Sequence, residues 1–179
     1  MKARLITTLM ALTAFLTSAM SQDLDDKYAT ELLKTGTEAP DMNIGTATDG
    51  TVIKLSQMKG KYVLIAFWAS WCPDCRRETP ALQQLWKQYK DKGLQIAGIS
   101  YDTNREAWQK YIADNNMEWL QYSELKKWKK ETTSDRLYNI NWIPTLYLID
   151  PEGHVALATV MMEKVKKALH DMLGNCLTK

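Results

Sequence analysis

The sequence predicts an α/β domain behind a short N-terminal appendage, and three observations carry that prediction. Residues 63–68, Val-Leu-Ile-Ala-Phe-Trp, are an apolar run without alternation, the pattern of a strand buried on both faces, and residues 94–100 read as a second buried strand. Between them Leu82, Leu85, Trp86 and Tyr89 recur at helical spacing, so the order is strand, crossover helix, strand, which implies parallel pairing. A length of 179 residues, 45% hydrophobic and 25% charged, suits one such core.

Taken in order, residues 1–21 read as a secretory signal. Lys2 and Arg4 precede an apolar, Thr-containing run over residues 5–16, and Ser18, Ala19 and Ser21 offer a small-residue cleavage site after Ala19 or Ser21. The run is short for a membrane span, so no stable span is expected after cleavage, and no cysteine near that site calls for a lipid anchor. In the N-terminal extension, residues 22–39, Tyr28, Leu32 and Leu33 suggest one amphipathic helix across the domain. The domain proper, residues 40–179, should begin with a hairpin of strands near residues 42–44 and 52–55, turning at Asp49-Gly50. Gly60-Lys61 introduces the central strand, and Pro80 should kink the helix that Gly93 stops. Thr103-Asn104-Arg105-Glu106 reads as a capping box for a helix with Trp108, Tyr111 and Ile112 on one face. Residues 115–141 read as a polar loop with a short strand near Trp119 and a short helix near residues 135–138, in which Trp128 is expected to plug the core. Residues 145–149 form a strand, Asp150-Pro151-Glu152-Gly153 a type I turn, and residues 154–159 the returning strand, with His154 solvated at the turn. Met162, Val165, Leu169, Met172 and Leu173 line the last helix, for which Gly174 is a natural C′ residue.

The chemistry sits in Cys72-Pro73-Asp74-Cys75, directly after the first buried strand, where a helix should begin. The first cysteine of such a turn meets unpaired backbone N–H groups and the positive end of the helix dipole, which makes Cys72 the candidate nucleophile. Cys75, about one helical turn away, can attack a mixed disulfide on Cys72 and is the candidate resolving thiol. A zinc site would need partners at paired spacing, and Cys176, His154 and His170 are not so placed; a purely structural disulfide would close too short a loop to constrain much. No cofactor or metal is therefore implied.

The run Phe67-Trp68-Ala69-Ser70-Trp71-Cys72, the Cys-x-x-Cys, Pro80, and Trp142-Ile143-Pro144-Thr145 far downstream resemble the thioredoxin superfamily over roughly residues 40–173. Glu78, in Cys-x-x-Cys-x-x-Glu-x-Pro, is similar to the ResA/TlpA-like branch of exported thiol–disulfide oxidoreductases. The resemblance implies a thioredoxin-like fold, a central mixed sheet flanked by helices with an N-terminal hairpin. It further implies a cis Ile143-Pro144 bond beside the nucleophile, with Ile143 pairing an extended substrate segment like an added strand. Trp71 would wall the site and leave only the Cys72 sulfur accessible, and Glu78 would handle protons. Cytoplasmic members carry an Asp six residues before the first cysteine; Ala66 stands here, so a tuning carboxylate must come from Glu78 or Asp74. Members also usually have a longer link before the last helix.

The expected activity is reduction of protein disulfides in a periplasm-like space, fed by an upstream thiol–disulfide electron donor. Asp74 should oppose a Cys72 thiolate while Arg76 and Arg77 favour it, which tilts the couple towards reductase over oxidase or isomerase. Cytochrome c maturation is a common role in this branch, although no residue here reads its substrate. A peroxidase would need Ser or Thr three residues before its cysteine and Pro seven before; Ala69 and Ile65 stand there. A non-catalytic binding module with an incidental dithiol is the remaining rival. Lysines 126, 127, 129 and 130, broken by Trp128, read as a solvated loop, so nucleic acid is not expected. Cys176 in the tail is a spare thiol or a dimer-forming one.

Overall fold

In the computed structural model, which describes residues 23–129 and 132–174, a five-stranded mixed sheet forms the core, in the order β5-β4-β3-β6-β7. Its members are β3 (Tyr62–Trp68), β4 (Leu94–Ser100), β5 (Leu120–Ser123), β6 (Thr145–Ile149) and β7 (Val155–Thr159). Strands β3, β4 and β5 run parallel, whereas β6 lies antiparallel to β3 and β7 antiparallel to β6. The unalternated runs occupy the centre: six of the seven residues of β3 and six of β4 are buried. Expected export segment 1–21 and Cys176 lie outside the described residues.

Helix α2 (Pro73–Tyr89) connects β3 to β4, and α3 (Arg105–Asp114) connects β4 to β5. Two right-handed crossovers stepping in one direction put both helices on one face, where the Thr79 and Tyr111 hydroxyls meet at 3.0 Å. Helix α5 (Met162–Leu169) packs against α2 and the β6–β7 side of the sheet. Alternation along β3 sends Trp68 to the helical face, against Tyr111, and Phe67 to the other, among Tyr101, Tyr138 and Tyr147. That second face is covered by the hairpin β1 (Asn43–Thr46) and β2 (Val52–Lys54), by α4 (Thr133–Leu137), and by the segment before the hairpin.

Several local expectations shift. The hairpin turns at Asp49-Gly50 as expected, with Gly50 at φ 87°, but β1 begins one residue later than expected and runs to Thr46, with an irregular register between Asn43 and Gly45. The extension is not one amphipathic helix: α1 spans only Asp25–Tyr28. So short a helix has too little backbone bonding to hold itself, and tertiary anchors hold the segment instead. The Asp25 carboxylate accepts bonds from Thr159 Oγ1 and the Val160 amide and pairs with Lys164, while Tyr28 stacks on Trp142 with ring centroids 3.9 Å apart. Helix α2 runs continuously past Pro80 and ends at Tyr89, and a 3-10 turn follows before Gly93 reverses the chain at φ 92°. The cap of α3 is Asn104 rather than Thr103, its side chain accepting from the Ala107 amide at 2.9 Å. Trp128 is half-buried between Trp71 and Tyr101, neither a full core plug nor a free surface residue. Gly174 does not form a left-handed cap; the chain widens into a π-helical turn over His170–Gly174.

A buried tyrosine relay joins the front of the chain to the sheet. Tyr147, fully buried in β6, accepts from the Leu33 amide at 3.0 Å and donates to the Tyr138 carbonyl at 2.7 Å; Tyr138 donates to the Pro40 carbonyl at 2.6 Å. Tyr147→Phe strands one buried donor and one buried acceptor, so urea denaturation should show a loss of about 1–3 kcal/mol at unchanged m-value. A midpoint equal to the parent's would show that the relay carries no stability.

Candidate functional site

The site lies where the C-terminal end of β3 meets the N-terminal start of β6. Antiparallel pairing sets Phe67 opposite Thr145, so the chain leaving β3 towards Cys72 passes beside residues 143–144 as they enter β6. The Ile143-Pro144 peptide is cis, and the Ile143 carbonyl accepts from Cys72 Sγ at 3.8 Å. The two halves of the sequence motif, 71 residues apart, are thereby in contact.

Cys72 is the N-cap of α2, extended at φ −83° and ψ 115°, with Pro73 in the first helical turn where its missing N–H costs nothing. Its sulfur takes the place of an ordinary capping oxygen and accepts from the Cys75 amide at 3.3 Å. Cys75 faces it from inside the first turn and directs its own thiol at the Cys72 sulfur; both cysteines are free. Burial pushes the Cys75 thiol well above its ordinary value, and the adjoining Cys72 and the charge of Glu78 add to that. Cys75 thus stays protonated until a base takes its proton.

Glu78 stands three residues beyond Cys75 and four beyond Asp74, on the face that both share. It is half-buried, and its Oε2 is enclosed without a hydrogen-bond partner. Burial, followed by the Asp74 charge, pushes its carboxyl up to about 7, against a smaller opposing pull from Lys166. Asp74, for its part, forms an ion pair with Arg77, so its negative charge reaches Cys72 already partly compensated. Arg76 leans over the Tyr111 ring, 5.9 Å from its centroid.

Trp71 is placed differently from expectation. It is 53% exposed and leans on Trp128, ring centroids 6.3 Å apart, instead of covering Cys75. The two cysteines are buried almost equally, at 5% and 4% exposure, so a Trp71 wall is not what distinguishes them. The distinction lies in the cap and in the protonation of Cys75.

Asp102 was not singled out from sequence. At the C-terminal end of β4 its carboxylate accepts from the Ser70 amide at 2.9 Å, Ser70 Oγ at 2.6 Å and Ser100 Oγ at 2.7 Å, which ties the turn carrying Trp71 and Cys72 to the next strand. Its signal was positional: a Ser-Tyr-Asp run where a parallel strand ends, at the sheet edge that usually carries function. Trp142 was quoted only as part of the motif, yet it receives Tyr28 and, through its carbonyl, the Thr145 hydroxyl at 2.7 Å, bracing the loop before β6.

A model of the AhpC/TSA family matches residues 35–158. The thiol-disulfide oxidoreductase ResA of Oceanobacillus iheyensis is 30% identical over 150 residues, covering 82% of this chain and 74% of that one. The crystal structure of the thioredoxin domain of a thiol-disulfide oxidoreductase from Bacteroides vulgatus superposes with a TM-score of 0.69 at 32% identity, over 79% of this chain and 99% of that one. The solution structure of a thiol:disulfide interchange protein from Bacteroides sp. gives a TM-score of 0.68 at 32% identity, over 82% and 94% of the two chains.

The raised carboxyl has a checkable consequence. The folded protein holds the Glu78 proton up to about pH 7, whereas an unfolded glutamate releases it near 4.5, so the folded state binds more protons in between. Stability contributed by that proton is complete below the lower value and is lost as pH rises through the window. Glu78→Gln should flatten the fall of melting temperature between about pH 5 and 7.5 and remove an inflection near pH 7 from single-turnover disulfide reduction. Superimposable pH profiles for the two proteins would return Glu78 to the surface charges.

Proposed function

The chain belongs to the AhpC/TSA family, it is a thiol–disulfide oxidoreductase of the thioredoxin type, and from that premise we propose that it is an exported reductase of protein disulfides acting through Cys72 and Cys75. The observation that carries the reading is the pairing of Cys72, at a helix N-cap and in contact with the Ile143 carbonyl, with a buried Cys75 whose thiol is pushed up, beside the half-buried Glu78 carboxyl.

The steps follow from that arrangement. Cys72, having lost its proton, attacks one sulfur of a substrate disulfide; a Cys72–substrate bond forms, the substrate S–S bond breaks, and the departing thiolate takes a proton from solvent. Ionised Glu78 then accepts the Cys75 proton, and Cys75 attacks the Cys72 sulfur and expels the second substrate thiolate, which is protonated in turn. The substrate gains two electrons and two protons, and Cys72–Cys75 becomes a disulfide that an upstream dithiol donor must reduce. Ile143 offers the substrate a backbone edge beside Cys72, and Trp71 an exposed aromatic face.

Direction follows from which redox state the site stabilises. A strong oxidant stabilises its reduced form as a thiolate; here burial and, to a lesser degree, the charge of Glu78 work against negative charge on Cys75. Asp74 weighs less than its place between the cysteines suggests, because Arg77 pairs with it. Export rests on the residue 1–21 pattern and on the ResA resemblance; among the described residues no helix is long and apolar enough to cross a membrane. Ala69 and Ile65 stand where a peroxidase of this family would need Ser or Thr and Pro.

Two measurements test this. Cys72→Ser should abolish disulfide reduction, whereas Cys75→Ser should attack once and stall as a mixed disulfide that captures substrates from the native host. The Cys72–Cys75 midpoint, titrated against glutathione, should fall on the order of −200 to −300 mV, and a value near −120 mV would replace the reductase with an oxidase.

A further inference from the structure

Beside the nucleophile the aromatic face of Trp71 continues into a cationic lip whose lysines none of the chemistry above uses. Trp71, next to Cys72 and exposed, leans on Trp128, which stacks in turn on buried Tyr101 with centroids 6.1 Å apart. Trp128 is therefore anchored, and its neighbours are held at the edge of the site. Lys127 and Lys129 flank it, both exposed; Lys129 sits at φ 70° with its ammonium 5.2 Å from the Trp128 ring centroid. Among the described residues no carboxylate lies within ion-pairing distance of either, whereas Lys126 is engaged by Glu124 at 3.3 Å. Arg76, one residue after Cys75 in α2, is also exposed.

We propose that this lip selects the substrate: Lys127 and Lys129 bind acidic side chains flanking the disulfide of a protein substrate, while its chain lies on Trp71 beside Ile143. The inference deepens the reductase reading and rests on it. The charge is local, since the whole chain carries a formal net charge of only +2, so the field has its source at the rim of the site. Its position matters for the same reason: a charge one aromatic ring away from Trp71 acts on any segment engaged at Cys72, raising encounter rates and disfavouring basic segments. An anionic membrane surface would also meet lysines and tryptophan. A bilayer needs a broad face, however, and this patch borders a site whose chemistry takes a polypeptide segment.

The test uses two short disulfide-bridged peptides of matched sequence, one with glutamates and one with lysines flanking the cysteines, reduced by the full mature chain. The parent should prefer the acidic peptide by about tenfold in kcat/KM at low salt, the preference shrinking to about twofold near 0.5 M salt. Lys127→Gln/Lys129→Gln should bring the ratio close to unity, and Lys127→Glu/Lys129→Glu should invert it. Equal rates for both peptides in the parent, or a ratio unmoved by either double variant, overturn the inference and leave the reductase reading intact. Cosedimentation with phosphatidylglycerol vesicles, combined with equal peptide rates, assigns the lip to a membrane and overturns it likewise. Reduction of neither peptide overturns the underlying reading, and the inference with it.

Discussion

The antiparallel register of β3 against β6 is the constraint on which everything at the site depends. Phe67 opposite Thr145 delivers two chain segments to one place: the turn that ends in Cys72 and the Ile143-Pro144 peptide. Because side chains alternate across a sheet, a one-residue slip would send Trp68 to the wrong face and carry the Ile143 carbonyl away from Cys72. The register is secured on both faces. Trp68 packs on Tyr111 under the helices, and Phe67 sits within the tyrosine cluster that reaches back to Leu33 and Pro40. The N-terminal extension thus serves the site indirectly, by bracing β6 and, through Tyr28, the loop that precedes it.

Upon that scaffold the chain sets a helix-cap thiol, a buried thiol and a raised carboxyl close together along the first turns of α2. Cys72 occupies a helix N-cap, where amide dipoles receive negative charge. Cys75, three residues deeper, is buried against it and holds its proton. Burial, and after it the Asp74 charge, push the Glu78 carboxyl up to about 7, which suits the proton transfer proposed for it. Asp74 pairs with Arg77 at the surface, and what charge it keeps helps to raise the Glu78 carboxyl, the group proposed to exchange protons with Cys75. Ala66, on the buried strand beneath, contributes no charge.

Much of this was legible in the residues. Unalternated strands, helical spacing and turn chemistry placed the five-stranded sheet and its helices, because burial on both faces leaves few alternatives for such segments. The cysteines and the downstream Ile-Pro announced the site. What could not be read were features decided by tertiary contact. The extension keeps only the short helix Asp25–Tyr28, and its place is set by the bonds of Asp25 with Thr159 and Val160, residues more than 130 positions away. The cap of α3 fell on Asn104 rather than Thr103, a choice between adjacent capping residues that spacing alone does not make. Trp71 turned to Trp128, and Asp102 became the anchor of the active turn; both depend on loops whose relative position no periodicity encodes. The partly buried state of Glu78 belongs to the same class, since an i+3 relation to Cys75 is visible in sequence but the desolvation of that face is not.

The central claim is that Cys72, at the helix cap, is the attacking sulfur and that Cys75 is held protonated by burial. Competition alkylation of the reduced protein, followed by mass spectrometry of each cysteine across pH 6 to 9, reads this directly. The account predicts that Cys72 is modified first throughout and that Cys75 reacts slowly even at the alkaline end. Faster modification of Cys75 near neutrality would contradict it and exchange the nucleophilic and resolving roles.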